Sequence, residues 1–220
     1  MTRTGAAARP TVEEQTESFI DWIRDHGREL SFAAIGIATV AAAAYLYGMS
    51  AKTKRENAVL ALARAEQTLA AGRTPEAQTM LQELVRRYEG TPAGTQGALR
   101  LGQVLYDQGK YLEGVASLER TLSEYGSGPF EVPLRQLTAG GYEELGRPGD
   151  AAVRYLEAAE KASLEGERDE LRARAARAFA AAGNKAEALR IWEALEGEES
   201  PFANEARIRI GELKTAAAGG

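Results

Sequence analysis

The sequence predicts an all-α protein: an N-terminal amphipathic arm, one transmembrane helix, then an α-α superhelix of about four helical hairpins with a C-terminal capping helix. Three observations carry this reading. No residue from Leu30 to Ala51 is charged, a run of 22 positions between Glu29 and Lys52. Gly72, Gly109, Gly146 and Gly183 recur at a constant spacing of 37 residues. The composition is Ala-rich and helix-favouring, with 44% hydrophobic residues of which few are aromatic.

The arm comes first, over residues 1–29. MTRTGAAARP reads as disordered. After Thr11, a candidate cap, the segment VEEQTESFIDWIRDHG places Phe19, Ile20, Trp22 and Ile23 within about a turn, which predicts a short amphipathic helix on a membrane or a protein surface. His26 stands beside Gly27, where a helix C-terminus favours its charge, and no cluster around it suggests metal or catalytic work.

Residues 30–51 form the predicted span. At 1.5 Å per residue they make roughly 33 Å of helix, enough for a hydrocarbon core of about 30 Å. Phe32, Ile35, Ile37, Val40 and Leu46 favour insertion by about 0.3 to 0.6 kcal/mol each, diluted by Ala and Gly, and Tyr45 and Tyr47 mark an interface. A cleaved signal fits less well, because a long acidic segment containing Glu13, Glu14, Glu17, Asp21, Asp25 and Glu29 precedes the run. A core helix would need enclosure on every side, which the amphipathic remainder does not offer.

Residues 52–213 carry the period. Each spaced glycine follows one amphipathic pattern and precedes another, so each marks the turn of a helical hairpin. Pro92 and Pro129, also 37 apart, stand where the next hairpins begin, with Thr91 as a cap; Ser200-Pro201 repeats that signal before a lone capping helix over Asn204–Leu213. Residues 214–220 read as a disordered Ala-Gly tail.

Within each first helix a small residue recurs at Ala65, Gly102, Ala139 and Ala176, three of them followed by the bulky Leu105, Tyr142 and Phe179. In the second helices Ala77, Gly114, Ala151 and Ala188 precede Leu81, Leu118, Tyr155 and Trp192. This pattern resembles the tetratricopeptide repeat (TPR) family over about residues 56 to 213. It departs at Thr68, which replaces a large residue, and at Arg135 and Arg172, where bulky apolar groups are usual. The family period is 34 residues, so the longer one implies longer connections. The layout of arm, single span and four hairpins is similar to the ancillary subunit of the bacterial Sec translocon, including FIDWIRDHGREL running into the span.

Catalysis has no inventory here: one His, no Cys, no phosphate-cradling glycine loop and no nucleophile elbow. The acidic pairs Glu143-Glu144 and Glu198-Glu199 read as solvated surface. The expectation is therefore no enzyme, no cofactor, no metal and no small-molecule substrate. A net charge of -5 with mixed signs argues against nucleic acid.

Recognition of another polypeptide remains. First helices of stacked hairpins line a concave face, and the repeat spacing puts Glu66, Leu99, Gln103, Tyr106, Asp107, Gln136, Glu143, Glu144 and Arg177 on it, with Tyr106 as the expected exposed anchor. The resemblance implies a single-pass bacterial inner-membrane protein whose partners are the translocon, chaperones or client polypeptides, with the repeats in the periplasm. The positive residues disagree: Arg24 and Arg28 precede the span, whereas Lys52, Lys54, Arg55 and Arg64 follow it, which favours cytoplasmic repeats. The alternative function is a structural protein that organises a cell-envelope or division complex.

Overall fold

A computed structural model describes residues 22, 24, 26–126, 128–197 and 200–218. Nine helices and no strand are present among the described residues: α1 (Gly27–Ala70), α2 (Thr74–Arg87), α3 (Pro92–Asp107), α4 (Tyr111–Tyr125), α5 (Glu131–Glu144), α6 (Pro148–Lys161), α7 (Glu165–Ala181), α8 (Lys185–Gly197) and α9 (Ala203–Ala218). The chain divides into two compact units, Met1–Thr53 and Lys54–Gly220.

In the first unit the arm lies almost wholly outside the described residues. The ring of His26 stacks on that of Trp22 with centroids 5.0 Å apart, and its Nδ1 donates to the Trp22 carbonyl. Trp22 and Arg24 are helical, the His26 N–H donates to the Trp22 carbonyl at 3.0 Å, and Gly27 is the first residue of α1. The apolar stretch of α1 is long enough to cross a membrane, and none of it is buried. Phe32, Ile35, Ile37, Val40, Leu46 and Met49 all face outward, an arrangement that water alone would disfavour.

In the second unit each helix from α2 to α9 packs on the next, and the first helices α3 and α5 also touch, as stacked hairpins require. The glycines do at the turns what their spacing predicts. Gly72, Gly109, Gly146 and Gly183 have φ of 75°, 71°, 68° and 80°. Each N–H donates to the carbonyl three residues back, and the following N–H donates five back: Gly109 to Tyr106 at 2.8 Å and Lys110 to Leu105 at 2.8 Å, with the same pair at the other three turns. This is the Schellman closure, and its left-handed residue is free of strain only as glycine.

Helix starts follow the sequence less uniformly. Thr91 caps α3, accepting from the Gly94 N–H at 3.1 Å, with Pro92 in the first turn. Pro129 does not open α5; the helix begins at Glu131, and it is Pro133 that occupies the first turn, where a missing N–H costs nothing. The C-terminal tail also differs from expectation, since α9 continues to Ala218. Alanines favour the helix, Lys214 reaches Glu193 at 3.0 Å, and the Thr215 hydroxyl donates to the Gly211 carbonyl at 3.0 Å.

Two buried clusters fill the unit. One gathers Ala58, Leu62, Leu81, Leu84, Leu101 and Leu105 around α1–α3; the other runs from Ala139 through Tyr155, Leu171 and Trp192 to Ile210. Each fully buried Leu contributes about 1.5–3 kcal/mol by leaving water.

Candidate functional site

Two successive first helices, α3 and α5, form a groove of about 610 Å³. Helical periodicity puts Leu99, Gln103, Tyr106 and Asp107 along one stripe of α3, and Gln136 and Glu144 along the facing stripe of α5; all six line the groove. Sequence reasoning missed Tyr111, Pro133, Leu137, Gly140, Tyr155 and Arg174, which complete it. Tyr155 was assigned to packing from its place in the second helix. It is indeed buried, but its hydroxyl emerges to donate to Glu143 at 3.0 Å.

Tyr106 is not the free anchor that the spacing suggests. Its ring fits a slot left by two glycines: a Cβ on Gly114 would lie 2.4 Å from its Cε1, and one on Gly141 would lie 2.0 Å from its hydroxyl. The hydroxyl donates to the Leu137 carbonyl at 3.2 Å, and the ring lies 5.6 Å from Tyr111. Tyr106 therefore wedges α3, α4 and α5 together and shows the groove only an edge. Burial, with Tyr142 and Glu119 nearby, holds its phenol above the ordinary range. Burial and then the Glu143 carboxylate push Tyr155 up to about 12. Both phenols stay protonated near neutral pH and offer hydroxyls rather than charge.

Three other expected residues stand apart. Glu143 borders the groove through Tyr155, whereas Glu66 on α1 does not line it. Arg177 is committed elsewhere: its Nε donates to Glu205 at 2.8 Å and its Nη2 at 2.5 Å, and its guanidinium sits 5.8 Å from the Trp192 ring and 5.9 Å from Phe202. It ties α7 to α8 and α9.

The groove's electrostatics lean acidic. Asp107 and Glu144 form no ion pair among the described residues, while the groove's one cation, Arg174, is bonded to Glu170 at 2.6 Å. A ligand rich in N–H donors and an extended backbone would match this lining of carboxylates, amides and tyrosine edges. Among the described residues no group of three or more His, Asp or Glu could hold a metal ion.

No family model and no curated protein sequence matches the chain. Solved structures do match it. A Podosopora anserina putative kinesin light chain with nearly identical TPR-like repeats is 17% identical, with a TM-score of 0.56 over 74% of this chain and 88% of that one. A tetratricopeptide repeat protein from Parabacteroides merdae ATCC 43184 is also 17% identical, with a TM-score of 0.57 over 73% of this chain and 61% of that one. The repeat unit thus has the tetratricopeptide-type fold.

Proposed function

We propose that this chain is a membrane-anchored scaffold that holds an extended segment of another polypeptide in the groove between α3 and α5. The observation that carries the reading is the groove itself. Two stacked first helices present Gln103, Asp107, Gln136 and Glu144 to the groove with no covering element among the described residues, in a fold of the tetratricopeptide type. The uncovered apolar stretch of α1 supports the anchor, since its exposed Ile, Val and Leu side chains match lipid better than water. In this reading the span and its flanks dock on a membrane partner such as the Sec translocon of a bacterial inner membrane. The repeats then meet emerging clients or chaperones in the periplasm.

Site-directed photocrosslinking in intact membranes tests it. A crosslinker at Gln136 should give polypeptide adducts that one at Ile208, exposed on α9, does not, and a crosslinker at Leu46 should label translocon subunits. Equal adducts from Gln136 and Ile208, or release of the full chain by a carbonate wash, would defeat the proposal.

A further inference from the structure

Charge is spread unevenly along the chain. Residues 52–90, from the end of the uncharged run through the first hairpin, carry seven Lys or Arg against five Glu, whereas residues 91–220 carry 16 against 21 Asp or Glu. Two pairs stand out: Lys54-Arg55 at the start of the second unit and Arg86-Arg87 in the last turn of α2. The 37-residue period puts Thr91-Pro92, Gly128-Pro129 and Glu165-Gly166 where Lys54-Arg55 stand, and Ser123-Glu124 and Glu160-Lys161 where Arg86-Arg87 stand. A helix C-terminus favours cations, but α4 closes with none and α6 with one, so the helix dipole does not require the pair on α2. The basic pairs belong to the first hairpin alone, the one that follows the apolar stretch of α1.

Within the second unit the fold brings the two pairs to one end of that hairpin. The Lys54 Nζ donates to the Glu89 carbonyl at 3.0 Å, which fastens the chain just past α2 to the turn of α1 that bears Lys54 and Arg55. Its acceptor is neutral, so the ammonium charge is not cancelled. All four side chains are exposed. Arg55 and Arg87 form no ion pair among the described residues, and the Arg87 guanidinium lies 5.7 Å from the Tyr88 ring. Arg86 bonds Glu83 at 2.5 Å yet stays 79% exposed, with further guanidinium donors to offer. Three carboxylates share this end. Glu83 is engaged by Arg86, Glu89 accepts from the Tyr125 hydroxyl on the second hairpin, and Glu56 follows Arg55 on α1.

We infer that this end of the first hairpin binds the phosphate groups of anionic phospholipids, a reading that rests on α1 being a membrane anchor. Lys54 stands three residues, or roughly 4.5 Å of helix, after Ala51, where the uncharged run ends. That is inside the Debye length of about 8 Å over which a charged surface acts, and the bond from Lys54 to Glu89 brings the end of α2 to the same level. Guanidinium groups take phosphate oxygens in pairs, and each Lys or Arg near an anionic bilayer adds about fivefold to binding. The position beside the span favours lipid over any soluble anion.

The test uses the full chain, which has no Cys of its own, in nanodiscs of phosphatidylcholine alone or mixed with phosphatidylglycerol. A fluorophore on Gln82→Cys, exposed one turn before Arg86, reports quenching by a nitroxide carried on phosphatidylcholine headgroups in both discs. Quenching should be at least about threefold stronger in the anionic discs, and added salt should weaken the gain. Arg86→Gln with Arg87→Gln should remove most of that gain, as should Lys54→Gln with Arg55→Gln; all four positions are exposed. A fluorophore on Ile208→Cys should read the two discs alike. Replacing chloride by inorganic phosphate at equal ionic strength should leave the gain in place; its loss would give the site to soluble anions and overturn the lipid assignment. Equal quenching at Gln82 in the two discs, an undiminished gain in both double variants, or the same gain at Ile208 would also overturn it. A chain that enters both discs without a gain defeats this inference alone, whereas one that enters neither defeats the anchor with it.

Discussion

Around α1–α3 the core is made chiefly of leucine: Leu62, Leu81, Leu84, Leu101 and Leu105, with Ala58, Ala65 and Ala93 between them. Around α5–α9 it is made of alanine, with Ala139, Ala151, Ala158, Ala173, Ala176 and Ala188 all fully buried, and a few large groups such as Trp192 and Tyr155. Both regions keep the 37-residue period and the same glycine turns, so the period does not dictate how space is filled. Small residues let backbones approach, and a single large ring then closes what remains; leucines hold helices further apart and share the filling evenly. The contacts between second helices differ as well: Arg154 of α6 bonds Glu119 of α4 at 2.7 Å, whereas a cavity of about 370 Å³ lies between α2 and α4.

The largest effect should come from removing the ring on which the alanine region depends. Trp192 is 1% exposed and packed among alanines that cannot move in to replace it. Trp192→Ala should cost about 3–5 kcal/mol, whereas Leu81→Met in the leucine region should cost less than about 1.5 kcal/mol because volume is kept and the thioether adapts. Urea denaturation of the full chain in micelles measures both. Equal losses would mean that the two cores are packed alike and that the contrast in composition has no energetic consequence.

The turns were legible because their cause is local: a left-handed residue closes a helix only where Cβ is absent, so Gly72, Gly109, Gly146 and Gly183 announce themselves. The stripes on α3 and α5 were legible for a similar reason, helix periodicity, which found Gln103, Asp107, Gln136 and Glu144. Tyr106 was misread because its burial is decided by Gly114 on α4 and Gly141 on α5, which leave the slot it fills. A tyrosine facing a glycine at the small position of the second helix, Gly114, with a further glycine, Gly141, in the next first helix, is the signal that could have shown this. Arg177 was misread because its partner, Glu205, lies 28 residues away on the capping helix. Pro129 was misread because a proline marks equally well the loop before a helix and its first turn.

A second, smaller effect sharpens the contrast from the opposite side. The alanine region should tolerate enlargement poorly. Ala176 is fully buried on α7 within the alanine-rich cluster. Ala176→Leu should destabilise by about 1–3 kcal/mol through displaced backbone and off-rotamer neighbours. The thermal midpoint of the variant checks it. An unchanged or raised midpoint would show an unfilled gap at that position and remove the close-packing account of the alanine region.

The smallest effect concerns how the alanine region is closed at its end by charge. Hydrogen bonds from Arg177 hold the Glu205 carboxyl below the ordinary glutamate range, against the opposing effect of burial, with Arg209 adding to the lowering. A carboxyl whose pKa is depressed in the folded chain contributes stability that is fully present above its unfolded value, about 4.3, and is lost as pH falls through the folded value. The wild-type thermal midpoint should therefore fall more steeply with acidification below about pH 5 than that of Glu205→Gln, which has no carboxylate to protonate. Near neutral pH the variant should be only slightly less stable, because the pair is partly open to solvent and water screens it. Parallel acid profiles for the two chains would show that the α7–α9 closure rests on Trp192 and Phe202 packing against Arg177, not on the ion pair, and would leave the two ends of the superhelix differing in volume alone.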